Sequence, residues 1–217
     1  MDLRIEKTIK ALLENNINAV YAKNSDEVKE IVKNMLFEGA KITSGGSVSL
    51  IESGVIDIIK SGEYNYLDRM RKGITPEEQF EVYKQTLDCD FYFCSSNAVT
   101  EKGELINVDG NCNRVSAITF GPKKVVMVVG ANKIVKDIKD GFLRVKKIAA
   151  PKNCVRLSLD TPCSKLGHCV SLLNNENPDF ADGCNNDSRI CVNYVVSARQ
   201  RVKDRINVII CEENLGY

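Results

Sequence analysis

The run KVVMVV, from Lys124 to Val129, is apolar at every position after its first residue. A short β-branched run of this kind has no polar face to turn to water, so it reads as a central strand covered on both sides. Shorter runs repeat the theme, with strands expected at Ile17 to Ala22, Ala40 to Thr43, Asp90 to Cys94, Glu104 to Val108 and Ser116 to Phe120. Amphipathic spacing separates them. Leu3, Ile5, Ile9, Leu12 and Leu13 mark a first helix that closes at Asn15 and Asn16, and Ser25 caps a second that carries Val28, Ile31, Val32 and Met35. Val48, Leu50 and Ile51 resume a helical pattern, Pro76 opens a helix to about Leu87, and Ile134 to Lys147 reads as another. Helices alternating with short strands predict an α/β fold with an open, mostly parallel sheet and flanking helices. The strand-rich part from Glu104 to Val129 leaves room for antiparallel pairs.

At 217 residues the chain is expected to form a single domain over 1–217. Its tail is different in character. Residues 149–191 are a cysteine-rich loop region with three prolines and a run of asparagines, after which Cys191 to Ser197 and Arg205 to Cys211 regain strand composition. Thirty basic and twenty-nine acidic residues are spread along the chain and leave no field to attract nucleic acid. No run of eighteen apolar residues exists, and MDLRIEKTIK is a charged amphipathic start rather than a signal peptide, so a cytoplasmic protein without membrane attachment is expected. A homo-oligomer is compatible with this composition. No G-x-G-x-x-G follows a strand, which argues against NAD.

Polar clusters interrupt the apolar pattern at four places. Ser44, Gly45, Gly46 and Ser47 join a strand to a helix, where backbone N–H groups and hydroxyls can cradle a phosphate or carboxylate; the same turn also joins strand to helix in folds without a ligand. Glu101, in a turn, and then Asn107, Asp109, Asn113 and Arg114 supply two carboxylates, two carboxamides and a guanidinium. Such a set can bind a polar substrate, with Glu101 or Asp109 as acid or base, although Asn, Asp and Gly are also what hairpin turns require. Arg114 opens an apolar segment and needs a partner if buried; Asp109 is the candidate. Lys133 follows the central strand where open α/β sheets place ligands, and can neutralise an anionic substrate.

The fourth cluster is Cys163, Cys169, Cys184 and Cys191, spaced C-x5-C-x14-C-x6-C in a region too polar to be held by burial alone. Zinc or an iron–sulfur cluster would hold it, and buried thiols or disulfides formed on isolation are the alternatives. Cys89, Cys94, Cys154 and Cys211 have apolar neighbours and read as packing residues. His168, the one histidine, lies beside Cys169. Proton transfer must therefore fall to a carboxylate, a lysine or a tuned cysteine.

The blocks GGSVSL (45–50), YLDR (66–69), SNAVTEKGELINVDGNCNR (96–114), FGPKKVVMVVGANKIV (120–135), PCSKLGHC (162–169) and SRIC (188–191) resemble the LUD domain family, named for lactate utilization and including lactate-utilization protein C. The resemblance implies an α/β fold like that of CoA-transferases and ribose-5-phosphate isomerase. It implies an anion loop at Gly45, Gly46 and Ser47, a pocket lined by Glu101, Asn107, Asp109, Asn113 and Arg114, and iron–sulfur proteins as partners in lactate oxidation. Relatives usually carry a second glycine where this chain has Cys112. Three functions follow: a part in oxidising lactate or a related 2-hydroxy acid; an isomerase, lyase or transferase acting on a small phosphorylated or CoA-linked acid; or a non-enzymatic metal or small-acid binding module.

Overall fold

Alternate residues of the central strand bury on opposite faces of one sheet. Val125, Met127 and Val129 join one apolar core and Val126 and Val128 join the other, in a computed structural model that describes residues 1–217. The strand is β7 (Lys124–Gly130), seventh in chain order after β1 (Asn18–Ala22), β2 (Lys41–Ser44), β3 (Asn65–Tyr66), β4 (Phe91–Cys94), β5 (Ala98–Thr100) and β6 (Leu105–Asp109). Then follow β8 (Ile134–Val135), β9 (Asn193–Ser197) and β10 (Ile206–Cys211). The main sheet has six strands in the order β1-β10-β7-β4-β2-β3, every pair parallel. The expected open α/β sheet is thus present. Its carboxyl ends all point the same way, which is where the ligand crevice of such sheets forms.

The first helix, α1 (Leu3–Glu14), places Ile5 and Leu12 on one face of the sheet, while α2 (Ser25–Met35), α3 (Val48–Glu52) and α4 (Val55–Ile59) cover the other with Val28, Val32, Leu50, Val55 and Ile59. The sixth helix, α6 (Asn113–Thr119), adds Ala117 and Ile118 to the α1 face; between them in sequence, α5 (Pro76–Thr86) is opened by a Thr75–Glu78 capping box. A second sheet, β8-β5-β6-β9, contains the antiparallel pairs anticipated from the strand-rich segment.

Three local expectations are corrected. Of the residues 116–120 expected as a strand, 116–119 fall in α6 and Phe120 is its extended C-cap, because Val115 and Ile118 bury at helical spacing and the Asp109 carboxylate accepts the amides of Arg114 and Val115 at 3.0 and 3.1 Å. Ile134 and Val135 pair with β5 as a strand, so helix α7 (Ile138–Arg144) begins later, behind an Asp137 cap. It then continues through a π-helical turn, Val145–Ala149, into α8 (Ala150–Arg156), and α9 (Pro162–Leu166) follows. Much of the tail read as irregular is therefore helical. Cys112 stands just before α6 at φ +61°, the left-handed region glycine takes at least cost.

Candidate functional site

Beyond the carboxyl ends of β2, β4 and β7 lies a cavity of about 510 Å³. Gly46 and Ser47 reach it from β2, Ser95, Ser96 and Asn97 from β4, and Lys133 from the turn after β7. Asp109, Asn113 and Arg114 close a second side, α8 a third through Asn153 and Arg156, and residues 187–191 a fourth.

Its walls are cationic. Arg69, Arg114, Lys133, Arg156 and Arg189 line it against only two carboxylates, Asp109 and Asp187. None of the five takes part in any of the ten ion pairs in the protein. Neutral oxygens hold them instead. Arg69 donates to the Ser44 carbonyl at 3.1 Å, and Arg156 to Asn153 Oδ1 and the Tyr217 hydroxyl at 3.1 and 2.9 Å. Arg114 commits four of its five N–H groups, to the Ser95 and Val108 carbonyls and to the side-chain oxygens of Asn97 and Asn107. Close approach of these chains is what the glycine pair permits. A Cβ on Gly45 would stand 2.7 Å from the buried Tyr92 hydroxyl and 3.4 Å from Arg114 Cδ; one on Gly46 would stand 3.3 Å from Arg69 Nη2.

Lys133 is the most unusual member. It is 3% exposed, and its ammonium donates to the hydroxyls of Ser49 and Ser95 at 2.7 and 3.0 Å, with no carboxylate within bonding distance. Burial, reinforced by Arg144 and Arg114, lowers its pKa to about 7. Near neutrality it can thus carry a charge to an anion or exchange a proton.

Of the residues expected from sequence, Gly46, Ser47, Asp109, Asn113, Arg114 and Lys133 meet at this cavity. Gly45 does not line it, since its N–H completes the sheet on the Phe93 carbonyl at 2.9 Å. Asn107 is fully buried behind it, accepting from Arg114 with its own Nδ2 left without a partner. Asp109 lines the cavity, but through the backbone amides it accepts it serves as the cap of α6; it does not pair with the Arg114 guanidinium. Glu101 stands apart. It lies outside the cavity, paired with Arg4 and Lys7 of α1 at 3.0 and 2.9 Å, and the Lys7 ammonium holds its carboxyl below the usual range. A carboxylate so held positions the β5–β6 turn on α1. Arg69, Arg156 and Arg189 were not expected, although Arg69 and Arg189 sit in the YLDR and SRIC blocks.

A model of the LUD domain matches residues 5–211. The chain belongs to the LUD domain family. Membership supports a role related to lactate utilization. A crystal structure of a DUF162 family protein from Deinococcus radiodurans shares the fold of this LUD chain, with a TM-score of 0.51 and 12% identity over 96% of this chain and 95% of that one. No curated protein matches the chain. No helix of the LUD chain is long and apolar enough to cross a membrane.

The tail cysteines of the LUD chain also gather. Cys163, Cys169, Cys184 and Cys191 all line one small cavity of about 20 Å³, although no three Cys, His, Asp or Glu side chains already surround a common coordination centre. His168 is not among its lining residues; its Nδ1 lies 3.1 Å from the Cys169 carbonyl. Cys89, Cys94, Cys154 and Cys211 are buried, as packing residues should be.

Proposed function

We propose that this LUD chain takes part in lactate utilization by holding lactate, pyruvate or a related small 2-hydroxy or 2-oxo acid in the cationic cavity. One observation carries the reading: five cationic side chains face one cavity and none is neutralised by a protein carboxylate. A ligand carboxylate supplies the missing counter-charge, and Lys133, with hydroxyls of Ser49 and Ser95 around its Nζ, is the group suited to meet it. Uncharged, the same amine can accept the hydroxyl proton of a 2-hydroxy acid. In this reading Lys133, rather than Glu101, exchanges the proton. Oxidation also breaks the C–H bond of the hydroxyl-bearing carbon, releasing a second proton to solvent and two electrons that pass to a separate iron–sulfur partner protein.

A second reading has its own support. At about 510 Å³ the cavity lies within the range of sites for drug-sized ligands, about 300–1,000 Å³, and is roomier than a three-carbon acid requires. Room and charge together favour a phosphorylated or CoA-linked acid, handled by an isomerase, lyase or transferase.

Thermal unfolding with added ligands separates the two. L-Lactate and pyruvate at millimolar concentration are expected to raise the unfolding midpoint, while their uncharged methyl esters leave it unmoved. A rise with 3-phosphoglycerate or CoA but none with lactate or pyruvate selects the second reading. No rise with any of these anions contradicts both.

A further inference from the structure

The cysteine cavity and the cationic cavity share a wall. Cys191, Val145 and Ala150 line both, and residues 187–190, which close the cationic cavity and bring Arg189 to it, lie in the loop between Cys184 and Cys191. Four thiols from separate segments meet at the smaller cavity, one each from α9, the turn before residues 170–172, the loop and the residues just ahead of β9. A fifth sulfur, Cys154 of α8, stands 3.7 Å from Cys163 Sγ.

Two cations stand beside these thiols without counter-ions. Lys146 is 5% exposed and lines the thiol cavity, and its ammonium rests on the Ser171 hydroxyl and the Asp182 carbonyl. Arg189 donates to the carbonyls of Ala181, Cys184 and Cys191. Neither takes part in an ion pair. A buried cation such as Lys146 is ordinarily paired, and Arg189 is half-buried beside it with only carbonyls and a tyrosine hydroxyl for partners.

We propose that Cys163, Cys169, Cys184 and Cys191 bind one thiophilic divalent ion, zinc, and that this ion fixes the wall that presents Arg189 to the anion site. Each thiol gives up a proton to solvent on binding, so M2+ and four thiols become a tetrathiolate of net charge −2 and four protons. Lys146 and Arg189 balance that charge. Four thiolates complete the tetrahedral shell of a single zinc ion, with sulfurs drawn in to about 2.3 Å. Binding requires the thiols to move, since no three of them are placed to hold an ion as they stand.

The coupling to Arg189 rests on the anion site proposed above; the ion does not. Elemental analysis of the full chain, purified anaerobically and loaded with zinc, should give about one zinc per chain with four thiols protected from modification. Cys184→Ser should lose most of the metal, and Co2+ in place of zinc should give thiolate charge-transfer absorption with tetrahedral d–d bands. Folded wild-type protein that takes up no zinc and leaves all four thiols open to modification overturns the site, as does iron at four per chain. Chelation should weaken pyruvate binding at least tenfold. Unchanged pyruvate affinity after chelation overturns the coupling alone, whereas a zinc-loaded chain that binds no anion overturns the anion site and leaves the metal site standing.

Discussion

Replacing Lys133 with methionine is expected to abolish anion binding and, at the same time, to make the protein more stable. The side chain is buried against two serine hydroxyls, and its pKa falls from 10.5 to about 7 chiefly through burial. Each unit of such a shift corresponds to about 1.4 kcal/mol, so the fold bears a penalty of several kcal/mol for keeping this group. Methionine fills similar space without the charge. Ser49 and Ser95 keep other acceptors, the Leu215 and Ser96 carbonyls, so no hydroxyl is stranded. A gain of roughly 2–4 kcal/mol follows at pH 6, or several degrees in the unfolding midpoint at roughly 2–4 °C per kcal/mol. The sign with pH is fixed. Between pH 7 and 10.5 the unfolded chain holds a proton that folded Lys133 lacks, so wild-type stability from this group rises across that window. The advantage of Lys133→Met is therefore full below pH 7 and fades toward pH 10.5. Calorimetric midpoints of the two proteins at pH 6 and pH 10 check it; a variant less stable at pH 6 would show that the ammonium is well solvated where it stands.

Arg114→Met is expected to do the opposite and cost about 4 kcal/mol of folding stability. Truncating the guanidinium strands the Ser95 and Val108 carbonyls and the Asn107 side-chain oxygen, while Asn97 Oδ1 keeps the Val108 amide at 2.8 Å; each buried polar group left unsatisfied costs about 1–3 kcal/mol. Partial relaxation keeps the sum below the simple total. Arg114→Lys should recover only part of the loss, because a single ammonium cannot span four acceptors arranged for a fork. Urea midpoints measure both variants. Wild-type stability in Arg114→Met, with anion binding lost, would mean that the guanidinium is held for the ligand and contributes nothing to the frame.

The two variants differ because the same cavity is built from a scaffold residue and a strained one, and sequence alone separates them poorly. Both lie in polar clusters beside apolar strands, which is enough to nominate them. Only burial and partners tell that Arg114 is satisfied by the protein while Lys133 is not. The main sheet was legible for a simple reason: β1, β2, β4, β7 and β10 are short apolar runs bounded by turn residues. The stretch 116–120 reads as a strand because so short a segment, SAITF, fits either period, and the capping by Asp109 that decides it comes from the preceding strand's end. Glu101 was legible as a polar residue in a turn, but the partners that occupy it come from α1, almost a hundred residues earlier. Arg156 carried no local signal at all. It reaches the cavity because α7 continues through a π-helical turn into α8, a continuation that Pro151 and the polar tail disguise. The four tail cysteines read as one cluster from their spacing in a polar segment, and chain folding brings them to one small cavity.

Titration calorimetry of pyruvate against the wild-type protein at pH 6 and at pH 9 bears most directly on the anion site. Pyruvate keeps its charge across that range while Lys133 passes from mostly charged to mostly neutral, so binding should be present at pH 6 and at least tenfold weaker at pH 9. Affinity that is the same at both values, or absent at both, would contradict a site whose anion is met by Lys133.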